Sequence, residues 1–217
     1  MGEVVGFHQQ VIEETKPAKG EFARSPYIVR MLTEGLGKAE YLTFLGQAYH
    51  VVWHFCPIMA AAASRLADHG PYRDLRYMLY DRCEDEKGHE RIVLEDVAAA
   101  GGDVEAVRSA FANIPVQALV AFNYQMAERG APGAVLGMLY VHETALSEMG
   151  PRATQTLSKS TGLNAERGIK FIASHAEADA EHAAGVAQAL DMIVEPGHQK
   201  ALLNAIKVNY HLLGRLM

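Results

Sequence analysis

Apolar residues recur at spacings of three and four along nearly the whole chain, as at Ile28, Met31 and Leu32, and strand-like alternation is nearly absent. Glycine and proline mark the predicted helix ends. A short helix opens at Pro26, and a longer one runs from Lys38 toward His54, restarts or kinks at Pro57 and continues to about residue 68. Further helices are predicted over residues 72–100, 115–129, 132–149, 151–160 and 164–194, with a last one reaching the C-terminus. The pattern predicts an all-α fold, a bundle of seven to nine helices in one domain over residues 1–217.

The composition and charge argue against nucleic acid and anionic membranes as partners. The chain has 217 residues, 49% hydrophobic and 21% charged, as in ordinary globular domains. A net charge of −6 provides no electrostatic footprint for nucleic acid or an anionic membrane, and no apolar stretch approaches the roughly 18 residues of a membrane helix. Two cysteines and a polar start without a signal peptide favour a cytoplasmic protein. A homodimer is expected because it is the commonest soluble oligomer.

The most informative motif is His175-Ala-Glu-Ala-Asp179-Ala-Glu-His182. At about 100° per residue, positions i, i+4 and i+7 lie within a sector of roughly 60°, so the two histidines and Asp179 share one helix face. Apolar flanks such as Ile172 and Val186 indicate a packed helix rather than an exposed polar one. Two imidazoles and a carboxylate on one face are part of a coordination sphere for a first-row metal such as iron or manganese.

A second candidate is Glu86-x-x-His89, the i, i+3 arrangement that carboxylate-bridged dimetal proteins place on a helix. Asp85, four residues before His89, is an alternative ligand, and an exposed charged segment is an equally good interpretation of the motif alone. Gly88 within the predicted helix indicates close packing or local unwinding beside His89.

The third candidate is Glu143, in the apolar segment from Met138 to Leu146. Burying a carboxylate is costly unless it is paired or metal-bound. His142 is about 100° around the same helix, so we expect only one of the two to face a shared site. Glu143 is chosen because a two-metal site needs a bridging carboxylate; a hydrogen bond to a neighbouring helix would also explain it.

Together these motifs give three carboxylates and three imidazoles, enough for two metal ions: Glu86, His89, Glu143, His175, Asp179 and His182. A mononuclear or manganese–iron centre would use the same donor types, because spacing does not identify the metal.

This order of motifs, with H-x-x-x-D-x-x-H on a late helix, resembles the haem-oxygenase-like diiron oxidases and oxygenases, whose superfamily includes TenA proteins and pyrroloquinoline-quinone synthase. The resemblance implies two iron ions, with O2 as co-substrate, in an enzyme that desaturates, cleaves or hydroxylates a small-molecule metabolite, with an external electron donor as a further partner. The alternatives are a TenA-like thiamine-related hydrolase, a metal-free quinone-synthase-like oxidase, and a non-enzymatic helical interaction protein. Residues 116–150 contain no cysteine nucleophile of the kind that TenA thiaminases use.

The resemblance also suggests residues that line the central cavity. Gln47, His50 and His54 on one helix, and Tyr140 one turn before Glu143, are predicted to contact substrate, although an aromatic helix face is more often plain core. His8 lies where haem oxygenases carry their axial histidine, but a haem site would leave the acidic motifs without a role.

Overall fold

The structure, a computed structural model, describes the backbone of residues 6–217 and the side chains of residues 6–175 and 185–217. The predicted all-α class and haem-oxygenase-like fold are confirmed. Within residues 6–217, no helix combines the length and apolar character needed to cross a bilayer. The helices over this range are α1 (Phe7–Ala23), α2 (Pro26–Thr33), α3 (Lys38–Val52), α4 (Phe55–Arg65), α5 (Pro71–Glu86), α6 (His89–Ala99), α7 (Val104–Ser109), α8 (Ile114–Arg129), α9 (Leu136–Thr161), α10 (Lys170–Asp191) and α11 (Pro196–Leu213).

The long helix α9 is the central element of the bundle. It packs along α10, and α11 and α2 pack against it as well. Its segment from Leu136 to Val141 is buried all round, as expected for a helix that is surrounded by others. Helix α6 packs against both α10 and α3. Helices α5, α6, α9 and α10 carry the predicted metal ligands, so the packing brings the three motifs to one region.

The predicted helix over residues 72–100 is divided in two at Lys87 and Gly88. Gly88 has φ +93°, a left-handed conformation that residues with a Cβ atom rarely adopt. A Cβ atom at Gly88 would meet no heavy atom within 4 Å, so backbone conformation rather than close packing requires glycine there. Of the two expectations for this glycine, local unwinding is confirmed and close packing is wrong.

Two prolines show how context changes helix ends. Pro57 is the third residue of α4, where the first turn tolerates proline, so the helix restarts two residues before it. Pro151, predicted to end a helix, lies inside α9. Buried neighbours such as Ala153 and Leu157 hold this part of α9 against the rest of the bundle, and packing outweighs the local cost of proline.

Candidate metal centre

The break at Gly88 creates the first half of the site. Glu86 is the last residue of α5 and His89 is the first residue of α6. The turn between them brings Nδ1 of His89 to 2.8 Å from Oε2 of Glu86. The Glu86 carboxylate is buried, with 6% of its surface exposed. The two donors of the Glu86-x-x-His89 motif are therefore together, but across a break between helices rather than on one regular helix.

His175 of α10 completes a buried cluster with these two residues. Its Nδ1 lies 2.6 Å from the Phe171 carbonyl oxygen one turn earlier and donates a hydrogen bond to it. Nε2 of His175 then lies 3.9 Å from Oε2 of Glu86, and the rings of His175 and His89 meet edge to face with centroids 4.6 Å apart. A hydrogen bond from the second ring nitrogen to a backbone carbonyl is the usual way to orient a metal-binding histidine.

The electrostatics of the cluster favour a charged carboxylate. Burial raises the pKa of the Glu86 carboxyl, but the imidazoles of His175 and His89 outweigh burial and bring the pKa to about 2. The hydrogen bond with Glu86 in turn raises the pKa of His89. At neutral pH the cluster therefore offers an ionised carboxylate oxygen beside two ring nitrogens.

The donors fit a metal ion. One ligand atom from each of Glu86, His89 and His175 can be chosen so that all three lie within 4.8 Å of one another. Two ligands bound to one ion at about 2.1 Å are at most about 4.2 Å apart, so small side-chain rotations suffice to close the site. A cavity of about 30 Å³ adjoins Glu86 and His175, and roughly 10–15 Å³ is enough for a water-sized group.

Glu143 and His142 of α9 both line this small cavity, together with Glu86 and His175. The expectation that only one of the pair faces the site is wrong, because a space between helices is bordered by more than 100° of the α9 surface. Glu143 is buried, with 5% of its surface exposed. Its charge contributes to the raised pKa of His89, after the dominant effect of Glu86, so it lies within electrostatic range of the cluster.

The remaining two predicted ligands, Asp179 and His182, lie on α10, but their side chains are outside the described residues. They follow His175 by one and two turns of the same helix. Their role as ligands stays a prediction.

Glu86, rather than Asp85, joins the cluster. The Asp85 side chain is half exposed, with its carboxylate 3.5 Å from the Arg82 guanidinium, and Arg82 itself is buried. Of the two carboxylates that the sequence left open, the geometry favours Glu86.

Sequence reasoning missed Asp96, a buried carboxylate of α6 that holds α10 in place. Its two oxygens accept hydrogen bonds from the backbone N–H groups of Lys170, at 3.0 Å, and Phe171, at 2.8 Å, at the start of α10. The Tyr41 hydroxyl donates to the neighbouring Gly168 carbonyl at 2.8 Å. Asp96 thus fixes the helix of His175 to the helix of His89. Its sequence signal was an acidic pair, Glu95-Asp96, between apolar Leu94 and Val97.

A second, apolar cavity of about 100 Å³ lies beside the small one. Val52, His142, Leu146 and Phe171 line both spaces. The rest of its lining is almost wholly apolar and comes from α1, α2, α3, α9, α10, α11 and the C-terminal segment. The candidate metal centre is therefore next to a space suited to an apolar molecule.

The four predicted substrate-contact residues are not among the residues that line these two cavities, and each makes other contacts. The α3 lining of the apolar cavity includes Phe44, Ala48 and Val51. Gln47 instead accepts a hydrogen bond from the Asn113 backbone N–H at 2.8 Å, which ties the start of α8 to α3. His50 packs edge to face against the neighbouring Tyr49 ring.

His54, in the turn before α4, is hydrogen-bonded to the Tyr124 hydroxyl at 3.0 Å. Tyr140 is buried and borders a surface depression that His8 also lines, on the α1 side of α9. Substrate contact by Gln47, His50, His54 and Tyr140 stays a prediction, and the geometry gives each a packing or hydrogen-bonding role.

The fold and this cluster define an all-α protein of the haem-oxygenase-like class with a buried carboxylate–imidazole site. A family model described as iron-containing redox enzyme matches residues 42–213, and the chain belongs to that family. The matched range includes every described residue of the cluster. No curated protein sequence matches this chain.

Solved structures share the fold at low sequence identity. A domain of unknown function with a heme oxygenase-like fold from Shewanella denitrificans has a TM-score of 0.85 at 22% identity, covering 99% of this chain and 91% of its own. A TenA homolog from Pseudomonas syringae has a TM-score of 0.82 at 19% identity, covering 97% and 90%. Heme oxygenase-1 from Synechocystis, in complex with heme, has a TM-score of 0.74 at 16% identity, covering 98% and 90%.

Proposed function

We propose that this protein is a non-haem diiron oxidase or oxygenase that uses O2 to oxidise a small-molecule metabolite. The observation that supports the proposal is the buried cluster of Glu86, His89 and His175, whose ligand atoms lie within 4.8 Å of one another. Membership of an iron-containing redox enzyme family is consistent with iron as the metal.

Glu86, His89 and His175 would hold one iron, and Glu143, Asp179 and His182 would hold the second. Carboxylate and imidazole ligands suit iron of both oxidation states. Glu86 would contribute negative charge, because its pKa of about 2 keeps it ionised at neutral pH. Bound iron would supply the electron-transfer steps that reaction with O2 requires.

The surrounding residues prepare the site for this chemistry. The hydrogen bond from Nδ1 of His175 to the Phe171 carbonyl orients the ring so that Nε2 lies on the side of Glu86, where it would bind the metal ion. Apolar side chains, including Val52, Phe55 and Leu146, border the small cavity and limit the access of water. A dry site protects reactive oxygen chemistry from side reactions with solvent.

Anaerobic titration of metal-free protein with Fe²⁺, followed by metal analysis, tests the proposal. We expect about two irons per chain and a transient visible absorption band on exposure to O2. Glu86→Gln should lower iron affinity by at least about tenfold, because it removes the charged ligand. Asp85→Asn is the matched control, since its carboxylate is the adjacent one and half exposed; it should bind iron as the unmodified protein does. Absence of iron uptake, or equal losses in the two variants, would contradict the proposal.

A metal-free TenA-like activity is the second candidate, because TenA homologs are among the structures with this fold. This candidate predicts that the protein still converts its substrate after a chelator has removed iron. The diiron proposal predicts that substrate conversion is lost with the iron and returns when Fe²⁺ is added. Thiamine hydrolysis by chelated protein would favour this second candidate.

A further inference from the structure

His142 lies at the junction between the two cavities, and its side chain carries a buried polar atom with no described role. His142 lines both the small cavity at Glu86 and the large apolar cavity. Its Nε2 is buried and has no hydrogen-bond partner among the residues whose side chains the structure describes. A buried polar atom left unpaired lowers stability, so such an atom calls for a reason.

The other ring nitrogen defines the chemistry of this atom. Nδ1 of His142 lies 2.9 Å from the Met138 carbonyl oxygen, which can only accept, so Nδ1 carries the proton. The ring is packed edge to face against Phe55, with centroids 4.8 Å apart. In a neutral imidazole with Nδ1 protonated, Nε2 is a hydrogen-bond acceptor.

Among the side chains that the structure describes, the apolar cavity offers almost no competing polar group. Within that part of the chain its lining includes one other hydrogen-bonding side chain, Tyr27, whose hydroxyl already donates to the Leu213 carbonyl at 2.7 Å. The cavity of about 100 Å³ is on the order of seven to ten times the minimum for one water, which is room for a molecule of roughly seven to ten non-hydrogen atoms.

We propose that the substrate is an apolar molecule carrying one hydrogen-bond-donating group, and that His142 accepts that hydrogen bond and so positions the molecule at the metal centre. The apolar part occupies the large cavity, and the donor group lies at the junction, next to the space bordered by Glu86 and His175. This inference deepens the proposed function and depends on it for the reaction that follows binding. His142 acts here as a positioning residue and not as a ligand of the metal.

Two probes with equal numbers of non-hydrogen atoms test the inference. 1-Octanol has a hydroxyl donor, and 1-methoxyheptane replaces it with an ether oxygen that cannot donate. Calorimetric titration is carried out on metal-free protein and on protein loaded anaerobically with Fe²⁺. We expect the unmodified protein to bind the alcohol about twofold to tenfold more tightly than the ether, the usual contribution of one neutral hydrogen bond.

Substitutions at His142 and Ala153 then locate the effect. His142→Phe keeps a flat ring without the acceptor, and should lower the alcohol-to-ether preference to about one while ether binding persists. His142→Leu gives the same comparison with a smaller side chain if the first variant folds poorly. Ala153→Leu, which fills part of the apolar cavity, should weaken both probes by the same factor. Equal binding of the two probes by unmodified protein, or an unchanged preference in the His142 variants, would overturn the inference.

Iron content separates this inference from the proposed function. The His142 variants should bind the same number of irons as the unmodified protein, and loss of iron would mean that His142 is a ligand and overturn the positioning role. If the unmodified protein takes up no iron but keeps a His142-dependent preference for the alcohol, the diiron proposal fails and the binding site stands. If iron binds and the preference is absent, the binding site fails and the diiron proposal stands.

Discussion

Replacing Gly88 by alanine tests whether the break between α5 and α6 builds the metal centre. Gly88 has φ +93° and ψ 0°, and a Cβ atom there would have no heavy atom within 4 Å. The cost of alanine is therefore conformational rather than steric, about 1–2 kcal/mol for a left-handed residue with a Cβ atom. For a chain of this length, that loss lowers the melting temperature by roughly 2–8 °C.

The same backbone strain is expected to weaken the binding of iron. Metal-free Gly88→Ala protein can relieve the strain by altering the turn that holds Glu86 at 2.8 Å from His89. Iron binding must then restore the strained turn, so affinity for Fe²⁺ should fall by about fivefold to thirtyfold, the equivalent of the conformational cost. Unfolding followed by circular dichroism, with and without Fe²⁺ under anaerobic conditions, measures both effects.

Gly162 provides a matched control. It has φ +73° and ψ 12° at the end of α9, and a Cβ atom there would also have no heavy atom within 4 Å. Gly162→Ala should lose similar stability but keep the full stabilisation by iron, because Gly162 belongs to neither helix of the Glu86 turn. If Gly88→Ala were stabilised by Fe²⁺ as strongly as the control, the turn would not be what assembles the site.

Three other predictions follow from described contacts. In metal-free protein, the lowered pKa of Glu86 contributes stability, on the order of 3 kcal/mol, that is present above pH 4.5 and lost as pH falls toward 2. The raised pKa of His89 contributes stability that is present below pH 6.5 and lost as pH rises through the folded pKa. The free energy of unfolding in urea should therefore have a maximum between these limits, and Glu86→Gln should flatten that maximum. Asp96→Ala should cost about 2 kcal/mol and weaken iron binding, whereas Asp103→Ala, which removes an exposed cap of α7, should cost less and leave iron binding unchanged. Burial raises the pKa of Cys56 to about 11, so iodoacetamide at pH 8 should modify it about a hundredfold more slowly in native than in urea-unfolded protein, and equal rates would contradict this burial.

The helical class was predictable because it depends on local periodicity and on glycine and proline. The helix ends were less predictable, because they depend on contacts between residues that are distant in sequence. Pro151 illustrates the difference: its local effect is to end a helix, yet α9 continues through it within a packed bundle. Gly88 is the opposite case, because the effect is local. The break between α5 and α6 requires a left-handed residue, and the sequence shows this as a glycine within a charged segment predicted to be helical.

For the site, sequence identified donor types but not their relative placement. Spacing alone could not choose between Glu86 and Asp85, whose different burial depends on what α5 packs against. The angle of about 100° between Glu143 and His142 on one helix predicted that only one of them faces the site. Both line the same small cavity, because several helices border it. The flanking sequence of Asp96 does not reveal its role, because its partners are backbone groups 74 and 75 residues away.

The energetics of the Glu86–His89–His175 cluster favour a functional role over a contribution to folding stability. Burying Glu86 and pairing it with two imidazoles gains little over an apolar replacement of similar volume, because desolvation offsets the attraction between the charges. Yet separate interactions hold each donor in place: the turn at Gly88 orients Glu86 and His89, and the Phe171 carbonyl fixes the His175 ring. Such orientation of individual ring nitrogens adds nothing to a hydrophobic core, but it is what a bound metal ion requires of its ligands. The arrangement is thus better explained by coordination of a metal than by the stability of the bundle.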